Sequence, residues 1–202
     1  MKPIVDALLR EYAPLAMILY GSYADGTNDA ESDFDALLIC EEIPAAPRSD
    51  VLHGVRLDVH FAQVRHLQEK WNPQEYLQVY DGILLHDTNG VGAQLIETVR
   101  AYVHEQPPKT LQEKAHLLSW CDKMLLRSQR GDVEGNFRRH WLLTESLEIY
   151  CDLRGWFYFG PKKTLMRLQK EDKQAYNAYA SALQETNPEA LRAWIDALYA
   201  IQ

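Results

Sequence analysis

Leu19-Tyr20-Gly21-Ser22-Tyr23-Ala24-Asp25-Gly26-Thr27, followed by Ser32-Asp33-Phe34-Asp35, is the stretch that decides the architecture. The apolar run Leu15 to Tyr20 reads as a buried strand, which Gly21-Ser22 breaks before a short helix. Glycine lets a ligand approach the backbone, and a helix start offers unpaired N–H groups and a positive dipole end. The Ser22 hydroxyl adds a donor, so Gly21 and Ser22 form a candidate phosphate cradle, with a plain helix cap as the simpler account. After the turn Thr27-Asn28-Asp29, a second strand runs from Asp33 to Cys40, polar at its start and apolar at its end.

Asp33 and Asp35 are two apart at a strand start, so their carboxylates share a face. Asp58 stands in Leu57-Asp58-Val59, an acid inside an apolar strand. If that strand lies beside the second, three carboxylates converge, at high cost unless a cation lies between them. Magnesium suits such a set because it takes hard oxygen ligands, including those of a triphosphate. His60 is two residues beyond Asp58 on the same face, and is read as a satisfied strand histidine.

Working outward, Pro3 starts an amphipathic helix through about Tyr12, with Ile4, Leu8 and Leu9 on one side, and Pro14 ends it. Glu41 to Pro47 is a proline-rich loop. Val51 to Phe61 alternates around His53-Gly54, as a hairpin or bent strand would. A helical stretch from about Val64, a strand over Ile83 to His86, a turn at Asp87 to Gly90 and a helix from Val91 to His104 follow. Beyond Pro107-Pro108 the pattern becomes helical. The spacing of Leu111, Ala115, Leu118, Cys121 and Leu125 predicts a long helix over Leu111 to Arg130, and a second runs from about Val133 to Leu153. An aromatic loop, Gly155 to Pro161, precedes two shorter helices, the last starting near Asn187-Pro188. The expectation is an α+β chain: a mixed β-sheet with helices over residues 1–105, then a C-terminal helical bundle over 106–202.

Charge divides at the same boundary. The 202 residues carry 29 acidic and 21 basic side chains, net −8, which argues against a nonspecific nucleic-acid coat. Residues 1–105 hold 17 acidic and 7 basic groups, net −10, whereas 106–202 hold 12 and 14, net +2. Cys40, Cys121 and Cys151 form no C-x-x-C pattern and no disulfide framework, so a reducing cytoplasm is expected. No apolar run is long enough for a membrane span, and Asp6, Arg10 and Glu11 speak against a signal peptide at the N-terminus.

Gly21-Ser22, Asp33-x-Asp35 and Asp58 resemble, in type, order and spacing, the signature of the DNA polymerase β nucleotidyltransferase superfamily, over roughly residues 10–90. Within it the chain looks like the small bacterial antibiotic nucleotidyltransferases of the kanamycin and lincosamide kind, which join a minimal nucleotidyltransferase domain to a helical bundle. The resemblance implies transfer of a nucleoside monophosphate, AMP from ATP or the equivalent from another NTP, to a hydroxyl of a small-molecule acceptor. It implies two Mg2+ ions held by Asp33, Asp35 and Asp58, with the β,γ-phosphates on Gly21 and Ser22. The helical half would bind the acceptor, and the family's small members often pair as homodimers. Many members carry Arg where this chain has Asp25, which shifts the triphosphate grip toward metal and toward a lysine of the helical half.

That lysine is Lys163, ahead of Lys162; both follow Gly160-Pro161, and a solvated pair at a helix start is the competing account. The resemblance also implies a Glu of the helical half as general base. Glu145 is the candidate, with Glu148 one turn on and Asp58 as the alternative; a solvated helix face is the plainer reading of both glutamates. Trp156, Phe157, Tyr158 and Phe159 are read first as packing and second as a stacking platform. Two other functions compete with small-molecule transfer. One is an antitoxin-like module that adenylylates a partner protein, and the other a non-catalytic nucleotide-binding protein.

Overall fold

The computed structural model describes residues 1–201. The chain falls into two compact units, Met1–Glu105 and a second from Gln106 onward. The first is a five-stranded mixed sheet with helices and the second is helical, an α+β arrangement.

In the first unit α1 (Lys2–Tyr12) has proline in its first turn and ends on Ala13, in the left-handed region at φ 42°, just before Pro14. A residue preceding proline is disfavoured in the α region, so the helix stops there. The strands are β1 (Ala16–Leu19), β2 (Phe34–Cys40), β3 (Val51–Leu52), β4 (Val55–Gln63) and β5 (Ile83–Asp87), in the order β3-β4-β2-β1-β5. β1 is antiparallel to both β2 and β5, β3 and β4 form a hairpin through His53-Gly54, and β2 runs parallel to β4. The shorter helices are α2 (Ser22–Asp25) and α3 (Val64–Gln68). A 3-10 segment, Pro73–Val79, is kinked at Tyr76, and α4 (Val91–His104) closes the unit.

Alternation along the central strands separates two cores. Met17, Leu19, Phe34, Ala36, Leu38, Leu57 and Val59 pack with Ile4 and Leu8 of α1. Ala16, Ile18, Leu37, Ile39 and Ala62 face the other way, onto Leu95, Ile96 and Val99 of α4. The odd-numbered face of β2 therefore carries Asp35 on the α4 side. The loop after β2 is anchored by Arg48, which forms an antiparallel bridge with Val59 and reaches Glu11 at 2.5 Å and Asp50 at 2.6 Å.

The second unit contains α5 (Leu111–Ser128), α6 (Val133–Arg154), α7 (Pro161–Glu171), α8 (Lys173–Gln184) and α9 (Pro188–Tyr199). Three helices follow the aromatic loop rather than the expected two. Asp172 makes the extra break, since it ends α7 and its carboxylate accepts the Ala175 N–H at the start of α8. The spacing along α5 was also only partly informative. Leu118, Cys121 and Leu125 are buried with Met124, whereas Leu111 is 87% exposed. Helix α6 is the central element, with Tyr150 stacked on Trp194 at 5.8 Å. Trp194 donates to Ser146 Oγ at 2.8 Å and Tyr179 to the Leu143 carbonyl at 2.8 Å, so the polar atoms of this core are satisfied. All three cysteines are free and buried. Among the described residues no helix is long and apolar enough to cross a membrane.

Candidate functional site

The parallel pairing of β2 with β4 sets Asp35 directly opposite Asp58, with Leu37 opposite His60. Opposed residues share a face and have close Cβ atoms, so two carboxylates stand side by side, Asp35 at the start of β2 and Asp58 within the first half of β4. On the other flank of β2, the Tyr20 N–H donates to the Asp35 carbonyl at 3.0 Å. Tyr20, Asp35 and Asp58 thus form a row across three strands. Burial pushes the Tyr20 phenol well above its ordinary range, and the charges of Asp58 and Asp35 push it the same way. The phenol stays protonated beside the pair. Sequence reading passed over Tyr20; its only signal is its place at the end of an apolar strand immediately before Gly21.

The turn after β1 presses against this row. Gly21 has φ 67°, and a Cβ there would lie 2.2 Å from Asp35 Oδ2. Only glycine accommodates both the backbone and the carboxylate. Ser22 is buried, and α2 is a single turn in which the Ala24 and Asp25 N–H groups turn back onto the Gly21 carbonyl at 3.1 and 3.2 Å. Gly26, at φ 77°, ends it. Asp25 accepts from the Thr27 N–H at 2.9 Å and the Thr27 hydroxyl at 2.6 Å and so closes the turn.

Asp33 lies just before β2, with its carboxylate 3.6 Å from Arg56 Nε. His60, read from the sequence as a satisfied strand histidine, holds Nε2 3.1 Å from Asp58 Oδ1. Among the described residues no group of three or more His, Cys, Asp or Glu side chains is arranged to hold a metal ion. Asp35 and Asp58 stand in register on β2 and β4, and Asp33, two residues before Asp35, has its carboxylate toward Arg56. Two hard carboxylates in register, one held against a glycine turn, are a donor set that fits a divalent cation.

The candidates of the second unit sit within its own fold. Glu145 and Glu148 are both exposed on α6. Although Glu148 is exposed as a residue, packing around its carboxyl partly desolvates it and pushes it above its ordinary range, and Asp152 and then Glu145 push it the same way. Lys163, in the first turn of α7, holds Nζ 5.0 Å from the centre of the Phe159 ring, while Lys162 is exposed. Trp156 packs edge-on to Tyr150 at 5.6 Å, and the Arg167 guanidinium lies over its ring at 3.6 Å. Trp156 is partly buried against the core of the second unit.

Residues 1–81 match the family model described as a nucleotidyltransferase domain. No curated protein matches the chain. Among solved structures, one similar chain is a nucleotidyltransferase-like protein from Exiguobacterium sibiricum. It is 16% identical, the match covers 100% of this chain and 74% of that one, and the TM-score is 0.42. Another belongs to a toxin–antitoxin structure with AMP-PNP, 18% identical over 61% of this chain and 98% of that one, at a TM-score of 0.33. At these TM-scores neither likeness bears on function.

Proposed function

We propose that this protein transfers a nucleoside monophosphate, AMP from ATP, to a hydroxyl of a small-molecule acceptor and releases pyrophosphate. The observation that carries the reading is the in-register pair Asp35 and Asp58 with the Gly21 turn against it, in a region that matches a nucleotidyltransferase domain. Asp35 and Asp58 would hold Mg2+, and Asp33 would join them on leaving Arg56, a surface pair at 3.6 Å that costs little to open. Bound magnesium would supply charge neutralisation at the triphosphate and activation of the attacking hydroxyl.

The chain's own groups do the rest. Gly21 leaves room for phosphate at the turn, and the Ser22 hydroxyl donates to a β- or γ-phosphate oxygen. Lys163 is the second unit's candidate for the same phosphates. The acceptor oxygen forms a bond to the α-phosphorus as the bond from that phosphorus to the β-bridging oxygen breaks. The hydroxyl proton passes to a carboxylate, Asp58 in the first unit or Glu145 in the second. The helical unit is assigned the acceptor, and a cationic acceptor such as an aminoglycoside suits the −10 charge of the first unit.

The test is a screen of aminoglycosides, lincosamides and nucleotides as acceptors with each NTP, following pyrophosphate. Wild type is expected to release it with at least one acceptor in magnesium, and the double variant Asp33→Ala, Asp35→Ala to release none. Undiminished release by the double variant would overturn the mechanism.

A further inference from the structure

A cavity of about 300 Å³ opens on the α4 side of the first unit, at the far end of the strands from the carboxylate pair. Glu41, on its wall, lies six residues along the chain from Asp35, which at strand spacing is about 20 Å. Val64, Leu67, Trp71 and Leu95 supply the apolar part of a lining that is more polar than apolar. Its frame is fixed. Trp71 Nε1 donates to the Leu67 carbonyl at 3.1 Å and its ring meets Tyr76 edge-on at 5.3 Å. The Asp87 carboxylate accepts the Gly92 and Ala93 N–H groups, both at 3.1 Å, which caps the first turn of α4. A Cβ on Gly92 would lie 2.7 Å from Leu84 Cδ1 and 2.8 Å from Ala16 Cβ, so that turn is seated directly on the sheet.

Three carboxamides, Gln68, Asn89 and Gln94, and the Glu41 carboxylate share the wall. All four residues are exposed, and among the described residues their side chains enter no hydrogen bond; Glu41 and Gln94 accept through their backbone carbonyls. Asn89 has φ 67° and is followed by Gly90 at φ 77°. That turn is one asparagine tolerates but does not favour. No lysine, arginine or histidine lines the cavity, so nothing there compensates a phosphate or carboxylate.

We propose that this cavity binds a planar, uncharged nitrogen heterocycle bearing an exocyclic amine, of the nucleobase type, at a site separate from the carboxylate pair. The size lies at the lower end of small-molecule sites, and such sites combine an apolar wall with a few convergent polar groups. A carboxamide offers a donor and an acceptor side by side, which matches the adjacent acceptor and amine on a purine edge. Glu41 accepts from the amine, the indole and aliphatic wall cover the ring, and the lack of a cation rejects the phosphorylated forms.

The test follows backbone and indole N–H signals by NMR in the full-length protein, titrated with adenine and separately with AMP. Adenine is expected to shift signals from 64–71 and 88–98, including the Trp71 indole, both in wild type and in Asp35→Ala. The Gln94→Trp change fills the cavity from an exposed position and should weaken those shifts about tenfold or more. The double variant Gln68→Ala, Gln94→Ala, which only trims the wall, is expected to weaken them in the same direction. No shift in these segments with adenine, equal affinity in the folded variants, or equal shifts with AMP would each overturn the proposal. Shifts confined to 20–22, 33–35 and 57–60 would count against it while leaving the transferase reading intact.

Discussion

At Gly21 two constraints meet, a positive φ and a carboxylate 2.2 Å from where a Cβ would stand. Gly21→Ala is expected to cost about 1–3 kcal/mol in backbone strain. It should also move Asp35 out of register with Asp58, lowering transfer about 100-fold, the scale of a misplacement near 1 Å. Thermal melts and pyrophosphate release measure the two effects separately. Arg56 makes the converse case. Its pair with Asp33 is exposed and such pairs are worth about 0–1 kcal/mol, so Arg56→Ala should melt like wild type while needing less magnesium for half-maximal transfer. A higher requirement would mean that Arg56 positions Asp33 instead of diverting it. Glu148 titrates with a defined sign. Its carboxyl is raised from 4.5 by burial, then by Asp152 and Glu145, so the folded state holds its proton longer than the unfolded chain. Wild type then loses stability as pH rises from 4.5 through the raised value. The advantage of Glu148→Gln should grow across that window and level off above it, as urea melts at stepped pH would record.

Elements that could be read from one segment alone were legible. Helix α4 runs over Val91–His104, the stretch expected after the Asp87 to Gly90 turn, and the His53-Gly54 turn makes the β3-β4 hairpin. What escaped depends on contacts between distant segments. That the Asp58 strand lies beside β2 entered the sequence reading only as a condition, and nothing local to Asp58 announces that the pairing is parallel and sets it opposite Asp35. The approach of Gly21 to Asp35 links residues fourteen apart, and the Arg56 partner of Asp33 comes from a different strand. Asp172 is the helical counterpart. Tyr150 OH donates to it at 2.7 Å, Arg154 pairs with it, and the Ala175 N–H donates to it at 3.0 Å. A single acid between two helical patterns reads as surface, so the break it makes was missed. Its carboxyl lies below the usual range: burial opposes this, but the Ala175 N–H, the Tyr150 hydroxyl and Arg154 outweigh it. That contribution is present above an unfolded value of 3.8 and disappears as pH falls through the lower folded value. Asp172→Ala should destabilise by about 1–2 kcal/mol at neutral pH as a lost cap, and the difference from wild type should shrink in strong acid.

Each unit owns its core. Two clusters, built on Met17, Phe34 and Leu38 and on Ile18, Leu37 and Leu95, serve the first, and one centred on Tyr150 and Trp194 serves the second. The intervening residues 106–110 lie outside any helix, and domains part at such segments. A protease site inserted between Gln106 and Thr110 should therefore release two fragments that each melt cooperatively by circular dichroism. Their charges make the separation simple. At neutral pH the first, net −10, should be retained on an anion exchanger, while the second, net +2, passes through. If the first unit holds the nucleotide, the first fragment alone should bind ATP in a magnesium-dependent way, since Gly21, Ser22, Asp33, Asp35 and Asp58 are all in it. It should transfer nothing to an acceptor until the second is added back. Transfer by the first fragment alone would remove the helical unit from the reaction, whereas a first fragment that melts cooperatively but ignores ATP would require nucleotide-binding groups such as Lys163 from the second.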